Sequence, residues 1–185
     1  MAGMNKWGPG RLLAVFGLIT TLLGAGPKLA TAASVAVVPA DSTVSIADEF
    51  YIRVEADAFA DLKGYQLIFE FDPTIVQLVS ALPGDVLTGP GAYFGTLVPD
   101  VSAPADSAWY DAAKLDGSTS GPGVLVYFRF KALQMGVSPL ACRYVDYRDS
   151  NNAQTLPGCS GGVIRVVGPT TAMAASWGRM KVLYR

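Results

Sequence analysis

The sequence predicts an all-β protein, an antiparallel β-sandwich of about nine strands, and three observations carry that reading. Several stretches alternate apolar and polar residues with a period of two. Short runs of β-branched and aromatic residues are separated by Gly, Pro and Asp turns. No long amphipathic helical pattern interrupts them. Strands with one polar face need a second sheet to cover the other, which favours a sandwich over a barrel.

The chain has 185 residues and no internal repeat, the size of one domain with extensions. Residues 1–32 have the layout of a secretory signal peptide: Lys6 and Arg11 lead, residues 12–25 are apolar, and Ala30-Thr31-Ala32 is a small-x-small site. An apolar run of about 14 residues falls short of the roughly 20 that span a bilayer, so the mature chain is expected to carry no membrane span. Removing the leader takes away Lys6, Arg11 and Lys28, which moves the formal charge from -1 to about -4. A mildly acidic domain lacks the basic face that a nucleic acid would need.

In the mature part, residues 34–39 form a short β-branched strand and Asp41-Ser42-Thr43 a turn. Phe50, Ile52 and Val54 then alternate with Tyr51, Arg53 and Glu55. Residues 62–87 hold the clearest pattern. Tyr65, Leu67, Phe69 and Phe71 point one way and Gln66, Ile68 and Glu70 the other, Asp72-Pro73-Thr74 makes a corner, residues 75–79 are a second strand, and Pro83-Gly84-Asp85 closes it. Gly89-Pro90-Gly91 marks a turn, residues 93–98 a strand and residues 100–106 a loop. Residues 107–113 read as a strand, with helix as the alternative, and residues 116–123 as a turn cluster. Residues 124–133 follow, with Val126, Phe128 and Phe130 inward and Tyr127, Arg129 and Lys131 outward. Residues 140–147 and 163–167 complete the set. The domain thus spans 33–167, and 168–185 is a linker with a short tail, a helical turn or a packed strap that presents Trp177 and Met180.

Residues 62–87 resemble the cohesin module, through Gly64, the alternating strand ending in Phe71-Asp72-Pro73, the aliphatic residues 75–79 and Pro83-Gly84-Asp85-Val86-Leu87. Gly121-Pro122-Gly123 before VLVYFRFKAL, and the closing stretch DSNNAQTLPGCSGGVIRV, are similar to the family as well. The likeness runs over roughly residues 34–167 and is weakest over 89–117. The resemblance implies a nine-stranded jelly roll and an extracellular or cell-surface, non-catalytic role in which one sheet face recognises a dockerin-like protein module. Carried over by position, Gln66, Ile68 and Glu70 lie on that face. Strand parity adds Ser107, Trp109 and Asp111, unless Trp109 is a core residue and Tyr110 the exposed one.

The composition argues against catalysis. With no histidine there is no ordinary Ser-His or Cys-His pair, and no phosphate-cradling or dinucleotide motif occurs. Paired carboxylates remain as an enzymatic option among 15 acids, with Glu55, Glu70, Asp111 and Asp146 as candidates, against the plainer reading of acids on the outer faces of a soluble domain. Cys142 and Cys159, an even count in an exported chain, are expected to form a disulfide, with free buried thiols as the alternative. Zinc and other cofactors are not expected. Asp146, Asp149, Asn151 and Asn152 offer oxygen ligands for calcium in one loop, or equally the side-chain caps of Asx turns. A polysaccharide is the alternative partner, with Tyr51, Tyr127 and Trp109 as candidate platforms, and a purely structural surface-protein domain that meets no dockerin is the third reading.

Overall fold

The computed structural model describes residues 33–91, 93–98 and 106–169. The expected leader (1–32), the tail beyond Pro169 and most of the loop 100–106 lie outside the described residues. Eleven strands account for most of the rest. They are β1 (Ser34–Val38), β2 (Asp41–Ser45), β3 (Glu49–Glu70), β4 (Val76–Pro83), β5 (Tyr93–Val98), β6 (Ser107–Lys114), β7 (Thr119–Ala132), β8 (Gly136–Asp149), β9 (Gln154–Thr155), β10 (Gly158–Ser160) and β11 (Gly162–Val167). The count exceeds nine because short ribbons such as β9 and β10 pair along the edges. No helix is present among the described residues.

Two layers follow from the pairings. The first half of β3 lies between β1 and β7, with Val54 opposite both Val37 and Val126; β4 adds to β7 and β10 to β1. The second half lies between β6 and β8, with Leu67 opposite both Tyr110 and Val145; β5 adds to β6, and β11 with β2 to β8. The result is an antiparallel jelly-roll sandwich whose parallel pairings, among the described residues, lie at its margins, between β1 and β10 and between β2 and β11.

The core lies between the layers and is built from the residues that alternation pointed inward. Phe69 meets Phe128 edge-on with ring centroids 6.2 Å apart, and Phe71 meets Phe130 edge-on at 5.2 Å. Ile52, Val54, Leu67, Leu125 and Leu140 are buried around them. Each fully buried side chain of this size contributes about 1.5–3 kcal/mol. A hydrogen bond joins the layers directly: Tyr65 OH, on the second half of β3, donates to the Leu125 carbonyl of β7 at 2.5 Å. The disulfide between Cys142 and Cys159 does so covalently, linking β8 to the edge strand β10 with Cα atoms 6.1 Å apart.

Three segments differ from expectation. The strands around Phe50–Val54 and Tyr65–Phe71 are one continuous 22-residue strand. Between its halves the pairing with β7 slips at Val54/Glu55, Ala56/Phe59 and Phe59/Leu62, and Asp61 has φ 54°, so bulges redirect the chain without ending it. Hydrogen bonds, chiefly from Ser118 and then Ser150, hold the Asp61 carboxyl below its ordinary pKa. Residues 119–123, expected as a turn, are the start of β7. Gly121 sits opposite Phe59, whose ring would collide with any Cβ there, so the glycine marks a close approach inside a ladder. Asp41-Ser42-Thr43 is likewise a strand. It is a polar edge paired to β11, and Val44 is its one apolar contact with the core.

The turn chemistry at the corner follows the sequence. Asp72 Oδ1 accepts from the Thr74 amide at 2.9 Å and the Thr74 hydroxyl at 2.7 Å, which holds that carboxyl below its usual range.

Candidate functional site

The outer face of β5, β6, the second half of β3 and β8 carries the candidate residues. Backbone register sets out its rows. Trp109, Ile68 and Tyr144 lie side by side across three strands, Asp111, Gln66 and Asp146 form the next row, and Ala113, Gly64 and Arg148 the one after. On β5, Phe94 continues the last row and Thr96 the middle one. At the other end Ser107, Glu70 and Ala141 are in register.

Parity on β6 is resolved by burial. Tyr110 is 3% exposed and belongs to the core, whereas Trp109 is 39% exposed and points outward. The Trp109 indole Nε1 donates to Asp111 Oδ1 at 3.1 Å, two residues along the same face, so its ring is held in one orientation. Glu70 is ion-paired with Arg143 at 2.9 Å, and Gln154 Nε2 donates to Tyr144 OH at 3.1 Å. The face therefore has an apolar centre of indole, isoleucine and phenol with charged and amide groups on either side. Gln66, Ile68, Glu70, Trp109 and Asp111, named from sequence, lie together on it.

Sequence reasoning missed the contribution of β8. By register Tyr144, Asp146 and Arg148 share the outer side of β8, where Asp146 is itself covered, while Val145 and Tyr147 belong to the core. That alternation was readable, but a bulge between the Ile68 and Phe69 positions shifts its phase against residues 140–142. Phe94 on β5 was missed because its strand is short and no second aromatic repeats its spacing.

The remaining candidates are separated by the fold. Tyr51 and Tyr127 lie on the outer face of the other layer, among Arg53, Arg129 and Glu55, while Trp109 is on this one, so the three form no row. Of the acids, Glu55 pairs with Arg53 on that other face and Asp146 with Arg148 here. Glu70 and Asp111 are engaged as described. In the 146–152 loop the Asp149 carboxylate is a turn cap: its Oδ1 accepts from the Asn151 amide at 2.8 Å and the Ala153 amide at 2.7 Å. Asp146 turns instead to Arg148 Nε at 2.9 Å. The two carboxylates proposed for calcium thus turn to different local partners, Asp149 in an Asx-type turn and Asp146 through Oδ2 to Arg148.

No protein-family model matches the chain, and no curated protein matches its sequence. Solved structures do match. The fold and its four-stranded open face define a jelly-roll sandwich module. The similar structures include a non-cellulosomal cohesin from the hyperthermophilic archaeon Archaeoglobus fulgidus, with TM-score 0.61 and 13% identity over 75% of this chain and 93% of that one. A type I cohesin–dockerin complex from Clostridium thermocellum contains a chain similar at TM-score 0.62 and 13% identity, over 75% and 97%. A cohesin module from a family 33 glycoside hydrolase of Clostridium perfringens aligns at TM-score 0.61 and 10% identity, over 75% and 98%. The chain has a cohesin-like fold.

Proposed function

We propose that this chain is a non-catalytic binding module that recognises a dockerin-like protein through the outer face of β5, β6, β3 and β8. The observation that carries the reading is the apolar row Trp109–Ile68–Tyr144 at the centre of an open sheet face, rimmed by Glu70, Arg143, Asp111 and Gln66. An aromatic anchor with an aliphatic neighbour inside a polar rim is the composition of a protein interface centre. The cohesin-like fold supports the choice of partner, since several similar structures are of cohesin–dockerin complexes. The leader expected at residues 1–32 supports an extracellular or cell-surface setting, and the likeness to a cohesin domain from a cellulosome supports a link to polysaccharide breakdown.

A binding assay with dockerin modules captured from the secretome of the source organism tests the reading. Ile68→Asp and Glu70→Arg change side chains that point away from the core, so the melting temperature should hold. Each should weaken binding by about 2 kcal/mol or more, roughly thirtyfold. Unchanged affinity in both variants would move the interface off this face, and sugar release from polysaccharide by the purified chain would overturn the non-catalytic reading.

A further inference from the structure

At one end of the same face the sheet sinks into an open concavity of about 720 Å³, within the size range of small-ligand sites. Its floor has almost no side chains, because Gly64 and Ala113 lie opposite each other there. Phe94 stands on one wall and is 54% exposed, a large apolar ring with nothing stacked on it among the described residues. On the opposite side Asp146 lines the concavity. It is 5% exposed, its Oδ2 is taken by Arg148, and its Oδ1 is buried with no hydrogen-bond partner. A carboxylate oxygen left without a donor costs about 1–3 kcal/mol, so this atom calls for a donor from outside the chain.

The lining selects among donors. Lys63, Lys114 and Arg148 supply three positive charges, and Asp111, Asp146 and Asp149 three negative ones. An anion would meet the carboxylates and a cation the ammonium and guanidinium groups, so neither gains from the whole set. A neutral ligand rich in hydroxyls meets both kinds of group usefully. Its O–H groups donate to Asp146 Oδ1, and its oxygens accept from the guanidinium of Arg148, whose five N–H donors are only partly used by Asp146 Oδ2 and the Asn152 carbonyl. A pyranose ring also has an apolar C–H face that packs flat on an aromatic ring, which gives Phe94 its role. We propose that this concavity binds a neutral saccharide, with a sugar ring stacked on Phe94 and its hydroxyls bonded to Asp146 and Arg148.

The concavity shares Gln66, Asp111 and Tyr144 with the protein-docking face, but Ile68 and Trp109, on which the docking reading centres, do not line it. It is tested by titrating the isotope-labelled 185-residue chain with cellohexaose, xylohexaose, mannohexaose and chitohexaose and following amide shifts. At least one hexaose should perturb Gly64, Ala113 and Arg148. Phe94→Ala, at an exposed position, should raise its Kd about tenfold. Asp146→Asn should do the same without loss of melting temperature: its oxygen must turn to Arg148 Nε, which puts an NH2 donor where the acceptor was. Ile68→Asp should leave hexaose binding unchanged, so failure of the docking face and of this site read out separately. Absence of shifts with all four sugars at millimolar concentration overturns the proposal. So does affinity that survives Phe94→Ala, or perturbation of the same amides by sulfate or an oligolysine peptide in place of the sugars.

Discussion

Two buried phenols make opposite demands on the fold, and removing each hydroxyl measures the difference. Tyr65 OH donates to the Leu125 carbonyl at 2.5 Å, bridging the layers. Tyr147 OH is buried with no partner. Replacement by phenylalanine keeps both rings, including the Tyr65–Tyr110 stack at 6.2 Å and the edge contact of Tyr147 with Phe59 at 6.3 Å. In Tyr65→Phe the Leu125 carbonyl still accepts from the Gly84 amide at 2.9 Å, so no acceptor is orphaned. The loss is then that of one neutral hydrogen bond, about 1 kcal/mol. In Tyr147→Phe an unpaired buried hydroxyl is replaced by hydrogen, and the change should be neutral or stabilising by up to about 1 kcal/mol. Urea unfolding followed by fluorescence should show a lower midpoint for Tyr65→Phe alone, with the slope m unchanged in both. An equal drop in the two variants would falsify the assignment of one satisfied and one unsatisfied phenol.

Two further outcomes follow from the same core. Cys142→Ser with Cys159→Ser, or reduction, should cost about 3 kcal/mol from the cross-link over 17 residues; a thermal midpoint indifferent to reductant would show that the bridge adds nothing to stability. Alkaline pH should unfold the domain. Burial, reinforced by neighbouring phenols, pushes the Tyr65 hydroxyl far up; burial and then Tyr93 push Tyr110 to about 12; burial and then Asp57 push Tyr147 up. In the unfolded chain these groups ionise near pH 10. Because the folded state holds its protons longer, stability is intact below about pH 10 and falls as pH rises from there through the folded values. The slope is about 1.4 kcal/mol per pH unit for each tyrosine, and a midpoint flat between pH 9 and about 12 would contradict the burial.

Where one strand face is wholly buried and the other wet, the sequence carried the structure in plain view: Leu67 to Phe71 and Val126 to Phe130 alternate because each second side chain meets the opposite layer. The Asp72-Pro73 corner was equally readable, since its chemistry is local. The continuity of β3 was hidden because bulges break the period of two between Ala56 and Leu62, and a broken period looks like two strands. Thr119 to Gly123 and Asp41 to Thr43 were hidden by composition. Both are polar or glycine-rich yet lie in ladders whose partners, Phe59 and β11, are distant in sequence. At the candidate site, Gln66, Ile68 and Glu70 were placed by parity within one strand. The rows that pair Ile68 with Tyr144 and Gln66 with Asp146 depend on the register between β3 and β8, and no local pattern encodes that.

The passage of β3 through both layers has a consequence for how the protein comes apart. Neither layer can peel away as an independent unit, because each would have to draw out half of a strand that the other still grips through β1 and β7 or through β6 and β8. Amides in the two halves of β3 should therefore exchange with deuterium through one shared global opening, at a common free energy, while β9 and β10 exchange by local fraying. Formation should be correspondingly slow, since β3 must gather partners that range from Val35 to Asp149 before either layer is closed.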